Sequence, residues 1–264
     1  MDYFLVVGAQ KAGTSWLHRQ FRRHPQIHVP TWKEVHYFDI VCPPPGSASF
    51  AHWYTARARQ AVAARRWRAA DRLLEVLQLP FADHDGTAYR SFLGRDAPDG
   101  VRMIGEMTPA YAALDERGLR FADQVLDGPR ILFIMRDPLA RWWSSVRMRI
   151  ADNPESVFAS PIVGPAHWGR ADYATTIRRL EAVFPLERIH YGFYEELFSE
   201  EALGAIASFL GVQQTWPWAL DERVREGPQA PMPEPSAALL EQLTPVYQFV
   251  HDRFGDGVPN SWRH

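Results

Sequence analysis

Apolar residues open the chain in a short continuous run, Phe4 to Val7, closed by Gly8. An unbroken run of this length predicts a strand buried on both faces, because a half-exposed strand would alternate. A glycine-bearing turn follows, then a helical pattern from Thr14 to about His24, ended by Pro25. Ile27 to Pro30 is short and extended, and Lys33 to Asp39 leaves the sheet as a strand or loop before the break at Pro43-Pro44-Pro45-Gly46. Ala56 to Leu79 reads as one helical stretch with Trp67, Ala70, Leu74 and Leu77 on one face. Asp83 to Gly100 is loop-rich, Met103 to Glu106 a brief strand, Asp115 to Leu126 a helix, and Arg130 to Met135 a strongly apolar strand. Asp137 then caps a helix that starts at Pro138. Residues 168–183 read as helical, 187–192 as extended and 200–210 as a helix stopping at Gly211. A Pro-rich segment to Pro235 precedes a last helix to about Phe254, and no internal repeat is visible. Strands alternating with helices imply right-handed crossovers. The expected fold is α/β: one domain over 1–264, a P-loop-like parallel sheet with helices on both faces.

Composition narrows the classes. With 264 residues and 46% hydrophobic content, the chain can bury one large core. A formal charge of -2 gives no global basic field pointing to nucleic acid or an anionic membrane. The single cysteine, Cys42, excludes an intramolecular disulfide framework and a cysteine-based zinc site, and fits a reducing compartment. The start Met1-Asp2-Tyr3 lacks the features of a signal peptide, and nothing reaches the roughly 18 apolar residues of a membrane span. A cytoplasmic, bacterial protein is expected. The ten tryptophans read as core and rim packing.

The strongest local signal is Gly8-Ala9-Gln10-Lys11-Ala12-Gly13-Thr14-Ser15, placed after a strand and opening a helix. Successive backbone N–H groups and the helix dipole can cradle a phosphate there. The spacing nearly satisfies the ATP-binding P-loop, but Thr14 stands where that loop has lysine, and the loop's one lysine is Lys11. The charge is thereby moved from the β and γ phosphates toward a 5′-phosphate. The run Lys11-Ala12-Gly13-Thr14-Ser15-Trp16-Leu17 resembles the 5′-phosphosulfate loop of sulfotransferases that use 3′-phosphoadenosine 5′-phosphosulfate (PAPS).

That resemblance implies a second phosphate site. Arg136 ends the apolar strand at its carboxyl end, where open α/β sheets bind ligands, and Ser144 follows two turns into the next helix. An arginine and a serine so placed can converge on one phosphate, and Arg136-x-Pro138 with Ser144 is similar to the family's 3′-phosphate motif. The segment from Ile189 to Leu197 resembles the family's late strand and turn, which implies that Tyr194 lies near the adenine. Arg225-Glu226-Gly227 stands where such enzymes carry a basic loop on the 3′-phosphate, although Glu226 breaks the basic run.

For the base, Lys33-Glu34-Val35-His36-Tyr37-Phe38-Asp39 is similar to the K-E-x-H-F-F-D segment of heparan-sulfate-type sulfotransferases, whose glutamate is the proposed catalytic base. The resemblance implies Glu34 as base; an extended run would put His36 on the same face. His36 is left as base, as orienter of Glu34, or as acceptor contact. Gly105-Glu106-Met107-Thr108-Pro109 echoes a G-E-K-[ST]-P segment of that group, with Met107 in place of the lysine and Glu106 read as buried and paired at the sheet edge. The implied reaction moves the sulfuryl group of PAPS to a hydroxyl or amine and releases 3′-phosphoadenosine 5′-phosphate (PAP), an EC 2.8.2 type of transfer. Lys11 stabilises the leaving phosphate and no metal is required. Rival readings are a P-loop kinase using ATP and Mg²⁺, and a non-catalytic nucleotide-binding scaffold. Residues 40–100, which match the family least, are the expected acceptor-binding insertion. Arg57, Arg59, Arg65, Arg66, Arg68 and Arg72 fit either a solvated helix face or a rim for an acidic saccharide; Trp53, Tyr54, Trp67, Trp168 and Tyr173 equally fit a phenolic or lipid acceptor. A surface helix at 236–252 leaves a homodimer open.

Overall fold

β1 (Asp2–Gly8) is buried from Phe4 onward, as a strand covered on both faces must be. In the computed structural model it is the middle of a five-stranded sheet with β2 (Ile27–His28), β3 (Met103–Met107), β4 (Arg130–Met135) and β5 (Ile189–Phe193), ordered β2-β3-β1-β4-β5. All four pairings are parallel. The structure describes residues 1–44, 50–83, 85–152, 171–222 and 231–262.

Helices cover both faces. Phe21 of α1 (Thr14–Phe21) meets the Phe4 ring edge-on at 5.5 Å, and Tyr173 of α8 (Tyr173–Val183) meets Phe133 at 5.7 Å from the opposite face. Gly105 is glycine for space: a Cβ there would lie 2.3 Å from the Phe4 carbonyl oxygen and inside the Phe4 ring contact. Side-chain caps start α6 (Glu116–Leu126) at Asp115, α9 (Glu200–Leu210) at Ser199 and α10 (Ala237–Phe254) at Ser236. The chain runs from β1 outward to β2 and back to β3, then crosses to β4 and β5. The connection therefore reverses beside the carboxyl end of β1, the switch point where such sheets bind ligands.

Three expectations are corrected. The single helix over 56–79 is two, α3 (Phe50–Ala63) and α4 (Trp67–Ala82), turned at Arg65 in the left-handed region (φ 54°). The buried face of α4 is Ala70, Leu73, Val76 and Leu79, while Trp67 and Leu74 face solvent. The loop-rich 83–100 contains α5 (Thr87–Gly94), which seats Tyr89 and Leu93 in the core. Of the strand or loop expected for Lys33 to Asp39 the loop is found over 33–36, where Glu34 and His36 have φ 64° and 56°, and the rest turns into a short helix, α2 (Tyr37–Val41).

His18 anchors α1 to the segment entering this turn. Its Nε2–H donates to the Pro30 carbonyl at 2.9 Å, and burial holds its pKa down at about 4 against an ordinary 6.5. A histidine kept neutral on folding contributes stability that is present above pH ~6.5 and is lost as pH falls toward 4. A shift of this size corresponds to about 3 kcal/mol. Unfolding titrations should show stability falling between pH 6.5 and 4.5, with a shallower fall in His18→Gln, which keeps a donor for Pro30 but does not titrate.

Candidate active site

The first half of the site is the turn between β1 and α1. Gly13 takes φ 78°, and a Cβ there would lie 2.8 Å from Leu197 and 3.2 Å from the Tyr194 ring, so glycine is required by both backbone and space. The amides of Ala9 and Ala12 are used inside the fold, on the Ile134 and Ala9 carbonyls. Among the described residues the amides of Gly13, Thr14 and Ser15 engage no partner, as expected of the first turn of a helix. The Lys11 ammonium reaches toward α7 (Pro138–Asp152), 3.5 Å from the Met148 sulfur.

Arg136 closes the cradle from β4. Its Nη1 donates to the Lys11 carbonyl at 2.9 Å, and its guanidinium carbon stands 4.2 Å above the Tyr194 ring centroid. Its backbone is bracketed by one hydroxyl: Tyr173 donates to the Arg136 carbonyl at 2.7 Å and accepts from the Arg136 amide at 3.3 Å. Asp137 caps α7 through the Ala140 amide, and its second oxygen accepts from Tyr247 of α10 at 2.9 Å. The arginine is thus held rigidly, while its Nε is buried without a hydrogen-bond partner; the Trp16 indole Nε1 on α1 is in the same state. Buried donors of this kind are costly unless something accepts from them. Ser144 lies half-buried on α7, and Ala12 and Thr14 are buried beneath the turn. Arg225, like Trp168, lies outside the described residues.

The second half hangs from the end of β3, the neighbour of β1 in the sheet. Val6 and Met107 are register partners, so the turn after β1 and the segment on Met107 sit about one strand spacing apart at the same edge. The Glu34 amide donates to the Met107 carbonyl at 3.2 Å, the Val35 amide to Glu106 Oε2 at 3.1 Å and the His36 amide to Thr108 Oγ1 at 3.4 Å. From the other side, Tyr54 of α3 donates to the Glu34 carbonyl at 2.5 Å and approaches that of Val35 at 3.3 Å. His36 donates from Nδ1 to Asp39 Oδ2 at 2.7 Å and turns Nε2 toward Glu34 Oε2 at 3.9 Å. The Glu34 carboxylate remains 44% exposed and pairs with Lys33 at 2.5 Å. Glu34 and His36 therefore do meet, through two left-handed residues rather than through strand alternation.

Glu106 is buried and fully engaged. Oε1 accepts from Tyr89 at 2.7 Å and Tyr111 at 2.6 Å; Oε2 accepts from Thr108 at 2.6 Å and from Val35. Burial pushes its carboxyl above the ordinary range, and the four donors pull the other way. The sequence pointed to Glu106 as structural but not to its tyrosines, nor to Asp39, Tyr54 or Tyr173 as holders of the site. Asp39 had a signal: three residues after His36, it faces the histidine only if a helix starts there. Tyr54 and Tyr173, expected as acceptor aromatics, are instead buried on backbone atoms. The Met107 side chain is fully buried.

A sequence profile described as the Sulfotransferase family matches residues 4–217. The chain belongs to the sulfotransferase family. No curated protein matches it. Among solved structures, a sulfotransferase from Alicyclobacillus acidocaldarius superposes with a TM-score of 0.69 at 21% identity, covering 100% of this chain and 99% of that one. The sulfotransferase domain of the Synechococcus PCC 7002 olefin synthase gives 0.55 at 16%, over 95% and 94%. A sulfotransferase from Mycobacterium avium gives 0.53 at 15%, over 96% and 76%. At these identities the structures share a fold with this chain.

Removing the Glu106 carboxylate leaves two tyrosine hydroxyls, a threonine hydroxyl and an amide buried without their acceptor. Glu106→Ala should cost about 4 kcal/mol in urea unfolding, since each such group costs roughly 1 to 3 kcal/mol. Tyr89→Phe and Tyr111→Phe, which remove one donor each, should cost about 1 kcal/mol apiece.

Proposed function

We propose that this sulfotransferase takes the sulfuryl group from PAPS and places it on a hydroxyl or amine of its acceptor, releasing PAP. The observation that carries this reading is the joined cradle: Arg136 bonded to the Lys11 carbonyl, with its buried Nε and the Gly13–Ser15 amides lacking acceptors. These donors suit a doubly phosphorylated nucleotide, with one phosphate on the turn after β1 and a second beyond β4. Lys11, Ala12, Gly13, Thr14, Ser15 and Trp16 would hold the 5′ side, and Arg136 with Ser144 the 3′-phosphate, joined by Arg225. Arg136 covers one face of Tyr194, so an adenine would meet the ring's other face or its edge. When bound, the donor supplies the sulfuryl group and a phosphate as its leaving group.

In this mechanism Glu34 takes the proton of the acceptor hydroxyl or amine as the new bond to sulfur forms. Its half-exposed carboxylate suits that contact, and a positioned base contributes roughly 10² to 10⁴ in rate. His36, held through Nδ1 by Asp39, stands beside Glu34 and offers Nε2 to the proton Glu34 receives. Lys11 and the amides of the turn hold the charge that builds on the departing phosphate oxygen; removing a donor aimed at such charge costs about 10² to 10³ in rate. Residues 40–100, which supply α3, α4 and α5, form the acceptor side as an insertion within the one domain, at the edge where Glu34 is exposed.

Calorimetric titration with PAP without metal tests the nucleotide reading. Tight binding is expected, weakened roughly tenfold to a hundredfold in Arg136→Ala, as for loss of a charged hydrogen bond, and also weakened in Lys11→Ala. Binding of ATP with Mg²⁺ and indifference to PAP would overturn it. Glu34→Gln should keep PAP affinity and lose at least about 10² in turnover; unchanged turnover would remove Glu34 as base while leaving the donor assignment intact.

A further inference from the structure

α4 carries two apolar faces. One, formed by Ala70, Leu73, Val76 and Leu79, is buried. The other is a stripe of every seventh residue, Trp67, Leu74 and Phe81, with 58%, 41% and 73% of their surfaces exposed. Residues seven apart drift only about 20° around a helix, so the three side chains share one face over about 21 Å. Beside it α3 adds Val62, 42% exposed, and between the helices lies an open groove of about 360 Å³ lined by Thr55, Ala58, Arg59, Val62, Ala63 and Leu74. The Thr55 hydroxyl is turned back onto the Ala51 carbonyl, which leaves its methyl for the groove. A second apolar face on a surface helix marks a contact its own core does not make.

The charge around this face has one sign. The hairpin carries Arg57, Arg59, Arg65, Arg66, Arg68 and Arg72 against two acids, Asp71 and Glu75, and Glu75 is paired with Arg95. Arg59 lines the groove, and Arg65, Arg66 and Arg68 crowd the turn beside Trp67, all exposed. Among the described residues none of these four meets a carboxylate. A second copy docking symmetrically here would bring arginines against arginines. An indole and guanidinium groups at one end of an aromatic and aliphatic stripe instead match the boundary between lipid headgroups and acyl chains. We propose that the exposed face of the α3–α4 hairpin docks on anionic bilayers, with Trp67, Leu74 and Phe81 entering the acyl boundary and Arg59, Arg65, Arg66 and Arg68 on the headgroups. The chain's net charge of -2 does not oppose this, since attraction to a surface falls off within about 10 Å and is set by the local arginines. Peripheral docking also requires no spanning helix, and no helix among the described residues is long and apolar enough to cross a membrane.

Co-sedimentation with vesicles tests this without relying on sulfuryl transfer. The full chain should bind vesicles of phosphatidylcholine with one quarter phosphatidylglycerol at low salt, and bind pure phosphatidylcholine at least tenfold more weakly. Arg59→Ala, Arg65→Ala and Arg66→Ala combined should lose roughly fivefold per arginine on the anionic vesicles and most of the salt dependence. Trp67→Ser, Leu74→Ser and Phe81→Ser combined should lose binding at least tenfold while keeping the circular dichroism spectrum, because all three side chains are exposed. Absence of binding to anionic vesicles overturns the proposal, as does binding indifferent to both sets of substitutions. A concentration-dependent dimer in sedimentation equilibrium that the serine variant abolishes would assign the stripe to a second copy, and binding to an acidic protein but to neither vesicle would assign it to that class.

Discussion

The site depends on one buried carboxylate. Glu106 ends β3 inside the protein, where an ion is tolerable only if its lone pairs are filled. Its donors come from α5, from the turn after β3 and from Val35. Satisfying Glu106 therefore fixes the insertion, the sheet edge and the segment with Glu34 in one arrangement. Glu34 and His36 occupy the left-handed region, which costs residues with a Cβ about 1 to 3 kcal/mol each. Hydrogen bonds from all three successive amides, Glu34, Val35 and His36, to the end of β3 hold that shape. The reward is geometric: a turn this tight lets Glu34 project into solvent while His36 stays buried beside it.

The turn after β1 obeys a different constraint. Its amides are unpaired because a helix begins there, and its arginine lies close because parallel strands β1 and β4 end together. The Arg136 bond to the Lys11 carbonyl joins the two loops directly and sets the guanidinium against the turn after β1. Tyr173 on the Arg136 backbone and Tyr247 on Asp137 extend that rigidity to α8 and α10. Preorganisation of this kind is what electrostatic stabilisation of a leaving group requires.

What the sequence made legible was local. The strand, turn and helix over 2–21 and the strand, arginine and capped helix from 130 are each written within about twenty residues, and both stand where periodicity and capping chemistry put them. The hairpin break was invisible because Arg65, not glycine or proline, makes the left-handed turn. The apolar spacing of α4 mixed its two faces, Ala70 and Leu77 packing on the core while Trp67 and Leu74 face solvent, because spacing alone does not say which face the core takes. The turn at Glu34 and His36 was likewise unsigned, since histidine is among the residues enriched in the left-handed region but glutamate is not. Tyr89 and Tyr111 act on Glu106 only after α5 and β3 have packed, a tertiary fact no local window contains.

Tyr54 links the hairpin to the chemistry. Its single hydroxyl proton lies closest to the Glu34 carbonyl, at 2.5 Å, with the Val35 carbonyl at 3.3 Å. The ring is buried against the His36 imidazole at 6.0 Å between centroids, so it moves with α3 rather than with solvent. The Met107 carbonyl and the Glu106 and Thr108 side chains hold the same segment from one side through its amides, while Tyr54 holds it from the other through its carbonyls. The peptide that carries the exposed Glu34 carboxylate is thereby held between α3 and the end of β3.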